Sequence, residues 1–203
     1  MLPTRETIAV EGMRGEIEMD LVTHDVRKFF EMLLRRNGYV LEQLFSPLVV
    51  HTTPAHAELL ALAKGCITRH HSHHYLGFAA TQWQLFVSED PPRIKPLLYV
   101  FRVLLTGIHL MRTGCVEANL VTLNGEFQLP YIGELVHRKV DGAEKSRLEA
   151  PEVDFFRAEY ERLISLLEDA AAESALPDEP SARLALNDLL VRVRLEPFLS
   201  RSG

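Results

Sequence analysis

The sequence predicts an α+β fold that is mostly helical, a small N-terminal sheet followed by a helical bundle, and three observations predict it. EIEMDLV alternates across Ile17, Met19 and Leu21, the period of a strand with one buried face, which sets Glu16, Glu18 and Asp20 on the other. From Val26 the period changes, and Val26, Phe29, Phe30, Leu33 and Leu34 follow helical spacing. From Thr53 onward every long apolar pattern is helical. Two regions result: 1–51, a partial α+β region, and 52–203, a helical region.

In chain order, Thr7 to Val10 and the strand through Asp20 make a hairpin over the first 22 residues, turning near Arg14-Gly15. A two-stranded ribbon is marginal alone, so the helix at 25–36 is expected on its apolar face. That helix starts at a Thr23 or Asp25 cap and stops at Asn37-Gly38. A second short helix ends at Ser46-Pro47, and Pro47 to His51 adds a short strand. Thr53-Pro54 caps a helix that closes at Lys64-Gly65. Helices follow over Thr68–Val87, Pro96–Thr113, Leu129–Val140, Pro151–Ser174 and Ser181–Leu195, with a linker at Ser88–Pro92. The polar stretch KVDGAEKSRLEAPE connects two of them.

The chain has 203 residues, 47% hydrophobic and 25% charged, which suits a folded globular protein with a sizeable core and no long disordered stretch. A net charge of −6 argues against broad electrostatic capture of nucleic acid while leaving room for a local basic groove. Cys66 and Cys115 have no metal-ligand spacing, so reduced thiols and a cytoplasmic setting are expected. The N-terminus has no signal-peptide pattern. The apolar run Leu97–Met111 carries Arg102 and His109 and reads as too short and too charged to span a bilayer.

Three constellations could carry chemistry. Glu18 and Asp20 share a strand face, and two-metal phosphoryl transfer needs rigidly held carboxylates; a solvated charged face is the plainer reading. On the apolar helix 96–113, Lys95, Arg102, Thr106 and His109 fall on one line, the pattern of a helix running beside a polar cavity where cations can hold phosphates. A structural pairing of Arg102 with a carboxylate such as Glu42 explains the same stripe. Arg102 and His109, with six residues between them, also satisfy the loose Arg-x4–6-His spacing of the helical HEPN ribonucleases. In the cluster from Arg69 to His74, only His70 and His74 have the spacing to share an ion; no third ligand is evident, and no zinc is expected.

Asp20, Lys28-Phe29, Asn37 and Leu41-Glu42 before Leu44-Phe45-Ser46-Pro47, with KPLLYVFRVLLTGIHLMRTG further on, resemble the nucleotidyltransferases of the DNA polymerase β superfamily, in the RNA-ligase-associated branch. The resemblance runs from about Glu16 to the C-terminus. It implies that the first region is part of a nucleotidyltransferase-like sheet and that Mg-dependent nucleotidyl transfer from an NTP to RNA or another acceptor is the family's chemistry. Asp20 would be the catalytic and metal-binding carboxylate, with Lys95 and Arg102 binding the nucleotide. The family's Gly-Ser turn and Asp-x-Asp pair have no counterpart before Asp20. The expectation is therefore weak or absent activity in this chain, with both motifs encoded upstream of Met1. The alternative class is a non-catalytic helical interaction or RNA-binding protein, or a HEPN-like ribonuclease.

Overall fold

The computed structural model describes residues 6–141, 148 and 150–199. A hairpin of β1 (Thr7–Arg14) and β2 (Ile17–His24) precedes nine described helices: α1 (Val26–Leu34), α2 (Gly38–Leu44), α3 (Pro54–Ala63), α4 (Ser72–Ser88), α5 (Ile94–Thr113), α6 (Leu120–Phe127), α7 (Pro130–Val140), α8 (Ala150–Glu173) and α9 (Arg183–Leu199). The α+β, mostly helical expectation is met.

The hairpin turns at Gly15-Glu16, where Gly15 takes φ +66°, a left-handed conformation that glycine adopts without penalty. Glu16 therefore sits in the turn and leaves the strand face. In the antiparallel register Glu11 lies opposite Asp20 and Val10 opposite Leu21. Ile8, Val10, Ile17, Met19 and Leu21 thus share one face, as the alternation predicts. Its burial does not follow: Ile17 is 73% exposed and Leu21 49%. Among the described residues neither strand packs extensively on a helix, and none of them forms a layer over the apolar face. What ties the hairpin down is local, with the Asp25 amide donating to the Glu6 carbonyl and the Lys28 ammonium to the Thr7 hydroxyl.

α1 instead turns Phe30 and Leu33 into the helical core beside Val40, Leu41 and Leu44 of α2. Asp25 caps it, accepting the Arg27 amide at 2.9 Å. Asn37 does not end α1; its side chain caps α2 by accepting the Tyr39 amide, and Gly38 is the first helical residue. The left-handed residue between the helices is Arg36, at φ +64°. Gly38 is required by contact: a Cβ there would lie 2.6 Å from His74 Cδ2 and 3.1 Å from Tyr75 Cζ.

α5 is the spine, packed against α4 and α8 with α6 and α7 on its flank. Ile94, Leu97, Val100, Phe101, Leu104, Leu105 and Ile108 are all buried, and Gly114 at φ +70° ends the helix. At 20 residues it is longer than the apolar run alone, and by length and composition it could cross a membrane. Its apolar surface is used here against other helices, which accounts for that composition. Gly107 lets α4 and α8 close on α5, since a Cβ there would meet Tyr75 Cβ at 2.9 Å and the Leu167 methyls at 3.1 Å.

Pro47 to His51 forms no strand, and Leu48 and Val50 are exposed. With no neighbouring strand to accept their backbone groups, two valines do not make one. α6 was not visible as a helix in the sequence because Asn119 and Gln128 enclose only two turns, capped by the Asn119 side chain. The helix expected from Thr68 begins at Ser72, after a tight turn of 3-10 helix at Arg69–His71. Most of the polar connection before α8 lies outside the described residues.

Candidate functional site

The polar stripe on α5 comes about because this helix is apolar on its other sides, so its few polar positions collect whatever charge the surrounding helices bring. Arg102 is met by Glu42 of α2 at 2.6 Å, with both side chains largely shielded, and the Tyr99 ring lies 5.4 Å from the guanidinium. His109, further along, is met by Glu126 of α6 at 2.7 Å. Thr106 between them is fully buried and its hydroxyl has no hydrogen-bond partner among the described residues. Lys95 is exposed at the start of α5, seven residues and so roughly 10 Å along the axis from Arg102.

On the facing helix, Tyr75 is fully buried. Burial, then the nearby Glu42 carboxylate, push its hydroxyl well above the usual tyrosine range, and among the described residues the hydroxyl makes no hydrogen bond of ordinary geometry. His74, edge-on to Tyr75 and stacked on Phe78, is held below the usual histidine range by burial and pulled the other way by Glu42. Glu42, Arg102, Tyr75, Tyr99 and His74 therefore form one polar cluster where α2, α4 and α5 meet. The sequence singled out the Glu42–Arg102 pairing; it gave no role to Tyr75 beyond the core stripe or to Tyr99. Their signal was spacing against Glu42 across helices, which no single helix displays.

The histidine run separates into distinct environments. His71 is fully buried; its Nδ1 accepts the Thr68 amide at 3.2 Å, its Nε2 has no partner among the described residues, and burial lowers it to about 4. His70 Nε2 lies 3.3 Å from Asp178, and His73 is exposed and stacks on His70 at 5.7 Å. Thus the i, i+4 pair His70 and His74 opens onto a cleft that His73 also lines.

Asp20 stands exposed on β2, opposite Glu11 and two residues from Glu18 on the same face. Carboxylates directly opposite one another repel, and nothing cationic on the strands relieves them in pairs. Among the described residues no three His, Cys, Asp or Glu side chains converge closely enough to hold a metal ion. The magnesium pair of the polymerase β chemistry needs carboxylates converging on both ions. The described residues around Asp20 do not fit it. Lys95 has no ion-pair partner among the described residues, whereas Arg102 does.

Comparison with known proteins places these elements. An uncharacterized protein of Methanocaldococcus jannaschii is 27% identical over 185 residues, which cover 88% of this chain and 72% of that protein. No solved structure matches the chain significantly. The RNA repair pathway DNA polymerase beta family (RlaP) matches residues 1–192, a span that takes in the hairpin with Asp20, the polar cluster and every helix up to most of α9. The chain belongs to the RNA repair pathway DNA polymerase beta family.

Proposed function

We propose that this protein takes part in nucleotidyl transfer from a nucleoside triphosphate to RNA or another hydroxyl-bearing acceptor. The observation that carries the reading is the family match across residues 1–192, which contains Asp20, Lys95 and Arg102 together. In such a transfer the acceptor hydroxyl gives up its proton to the surrounding water as its oxygen bonds to the α-phosphorus, the bond from that phosphorus to the bridging oxygen breaks, and pyrophosphate leaves with the electron pair. Lys95, whose ammonium has no ion-pair partner among the described residues, is suited to neutralise charge on that leaving group. Arg102 is already paired with Glu42 at 2.6 Å, so a phosphate at its guanidinium would compete with that carboxylate. Asp20, exposed on a strand, is the carboxylate assigned to orient the reacting hydroxyl.

The experiment is incorporation of α-labelled nucleotide into RNA, with each of the four NTPs and with magnesium supplied or chelated. Transfer that falls at least about tenfold in Asp20→Asn and in Lys95→Ala supports the assignment; transfer unaffected by both removes those residues from it. A second reading, binding without catalysis, is favoured by the Glu42–Arg102 pairing. It is distinguished by NTP or RNA binding that persists with no labelled product. The HEPN-like reading finds no support in geometry, since Arg102 and His109 are each engaged by a different glutamate.

A further inference from the structure

Between the end of α1 and the start of α4 lies an open cleft of about 520 Å³, lined by Met32, Arg35, Arg36, Asn37, His70, His73 and His74. Two of the seven are arginines, three are histidines and none is acidic. In a chain of net charge −6 that is a local reversal of sign, and the volume is within the range of ligand-binding clefts. The backbone builds the reversal deliberately: Arg36 is held in the left-handed region, where a non-glycine residue is uncommon, and the Arg35-Arg36 step presents both side chains at the turn into α2. Arg35 has no ion-pair partner among the described residues, and His73 has only its stacking on His70.

The rim shows what these groups accept. The segment after α8 brings Asp178 and Glu179 to the cleft's edge: Arg36 binds Glu179 at 2.9 Å, while Arg69 and His70 bind Asp178 at 3.1 and 3.3 Å. The Arg36 guanidinium also donates to the Asp178 carbonyl, and the Arg69 amide to that of Pro177. The two carboxylates are themselves mostly exposed, at 66% and 79%. The protein's own acidic pair thus satisfies part of a cationic array whose remaining members, Arg35, His73 and His74, face the cleft.

We propose that this cleft is a binding site for phosphate groups, with Arg35, Arg36 and His73 as its principal donors and Asp178 and Glu179 as an internal counter-anion that competes with the ligand. Guanidinium forks match phosphate oxygens as they match carboxylates, so a phosphate takes the same donors that Glu179 now holds. The cleft has room for more than one phosphate. It lies on different elements from Asp20 and Lys95, and the inference does not depend on nucleotidyl transfer.

The test is titration calorimetry of the whole protein with inorganic pyrophosphate, and then with an oligoribonucleotide carrying or lacking a 5′-phosphate. One pyrophosphate per chain is expected to bind. Arg35→Ala/His73→Ala, both exposed and so tolerated by the fold, is expected to weaken binding about tenfold, the loss of about 1.4 kcal/mol. Asp178→Asn/Glu179→Gln is expected to tighten it at least about threefold. Glu161→Gln/Glu168→Gln on α8 makes the same change in net charge and is expected to leave the affinity unaltered. Selective binding of the 5′-phosphorylated oligonucleotide identifies a nucleic-acid end as the source of the phosphate, and equal weak binding of both oligonucleotides with tight pyrophosphate binding identifies a free anion; each supports a phosphate site. Pyrophosphate affinity unchanged in Arg35→Ala/His73→Ala, or equal tightening by the α8 control, overturns it.

Discussion

Lowering the pH should destabilise this protein through one buried ring, His71. Its Nδ1 accepts the Thr68 amide at the turn that starts α4, which requires the ring to be unprotonated there; the Thr68 carbonyl lies 3.1 Å from the same nitrogen, and Nε2 is buried without a partner among the described residues. Burial lowers it from the ordinary value near 6.5 to about 4; the Thr68 backbone beside Nδ1 pulls the other way, and His74, Arg36 and His70 add like charge. As pH falls, the unfolded chain takes up this proton first. The stability that His71 holds above about pH 6.5 is therefore lost progressively on the way down, and is gone below about 4. A tenfold change in proton affinity is worth about 1.4 kcal/mol, so the whole loss is about 3 kcal/mol. The comparison variant is His71→Gln, because glutamine in this third position serves the same capping contact and does not titrate. Chemical unfolding of both proteins at intervals from pH 7.5 to 4 cancels the carboxylates they share. The wild type should lose about 3 kcal/mol more than the variant, almost all of it between pH 6.5 and 4. Parallel stability curves would refute the assignment of a neutral, buried His71.

Glu42→Gln should cost about 2–3 kcal/mol by leaving Arg102 shielded and unpaired, and Glu42→Gln/Arg102→Met should recover most of it in the same unfolding assay; an additive double variant would contradict the pairing. Gly107→Ala should lower the melting temperature, because close contact with Tyr75 and Leu167 costs about 1–3 kcal/mol and exceeds the gain of about 1 kcal/mol in helix propensity; a rise would show that α4 and α8 can move apart. Cys115, exposed, should alkylate readily in the native protein while Cys66, buried and pushed up to about 11, stays protected until unfolding; peptide mass mapping decides it. Asp20→Asn should change stability by no more than about 0.5 kcal/mol, so any loss of activity in that variant reads on chemistry and not on folding.

Periodicity and caps determined most of the element list. Asp25, Thr53-Pro54 and Gly114 mark helix ends in the sequence and in the structure, because each acts on backbone groups within a few residues of itself. Asn37 shows the limit of that locality. An Asn-Gly pair serves equally to stop one helix or cap the next, and the choice fell to the cap because Gly38 must pass close to His74. The hairpin shows another: alternation fixed which residues share a face, but whether Ile17 and Leu21 are covered depends on what packs above them.

The sequence by itself determined the mostly helical α+β class, the polar line on α5 and the family resemblance, all of which rest on spacing along the chain. Only the tertiary structure decided that Arg102 is claimed by Glu42, that His109 is claimed by Glu126, and that adjacent histidines live in opposite environments. It also brought Arg35 and Arg36 to His73, and set Asp178 and Glu179 more than a hundred residues away on their rim. The reason is physical: a side chain's charge is governed by whatever lies within a few ångströms, and in a helical bundle those neighbours come from other helices whose order in space the one-dimensional pattern does not encode.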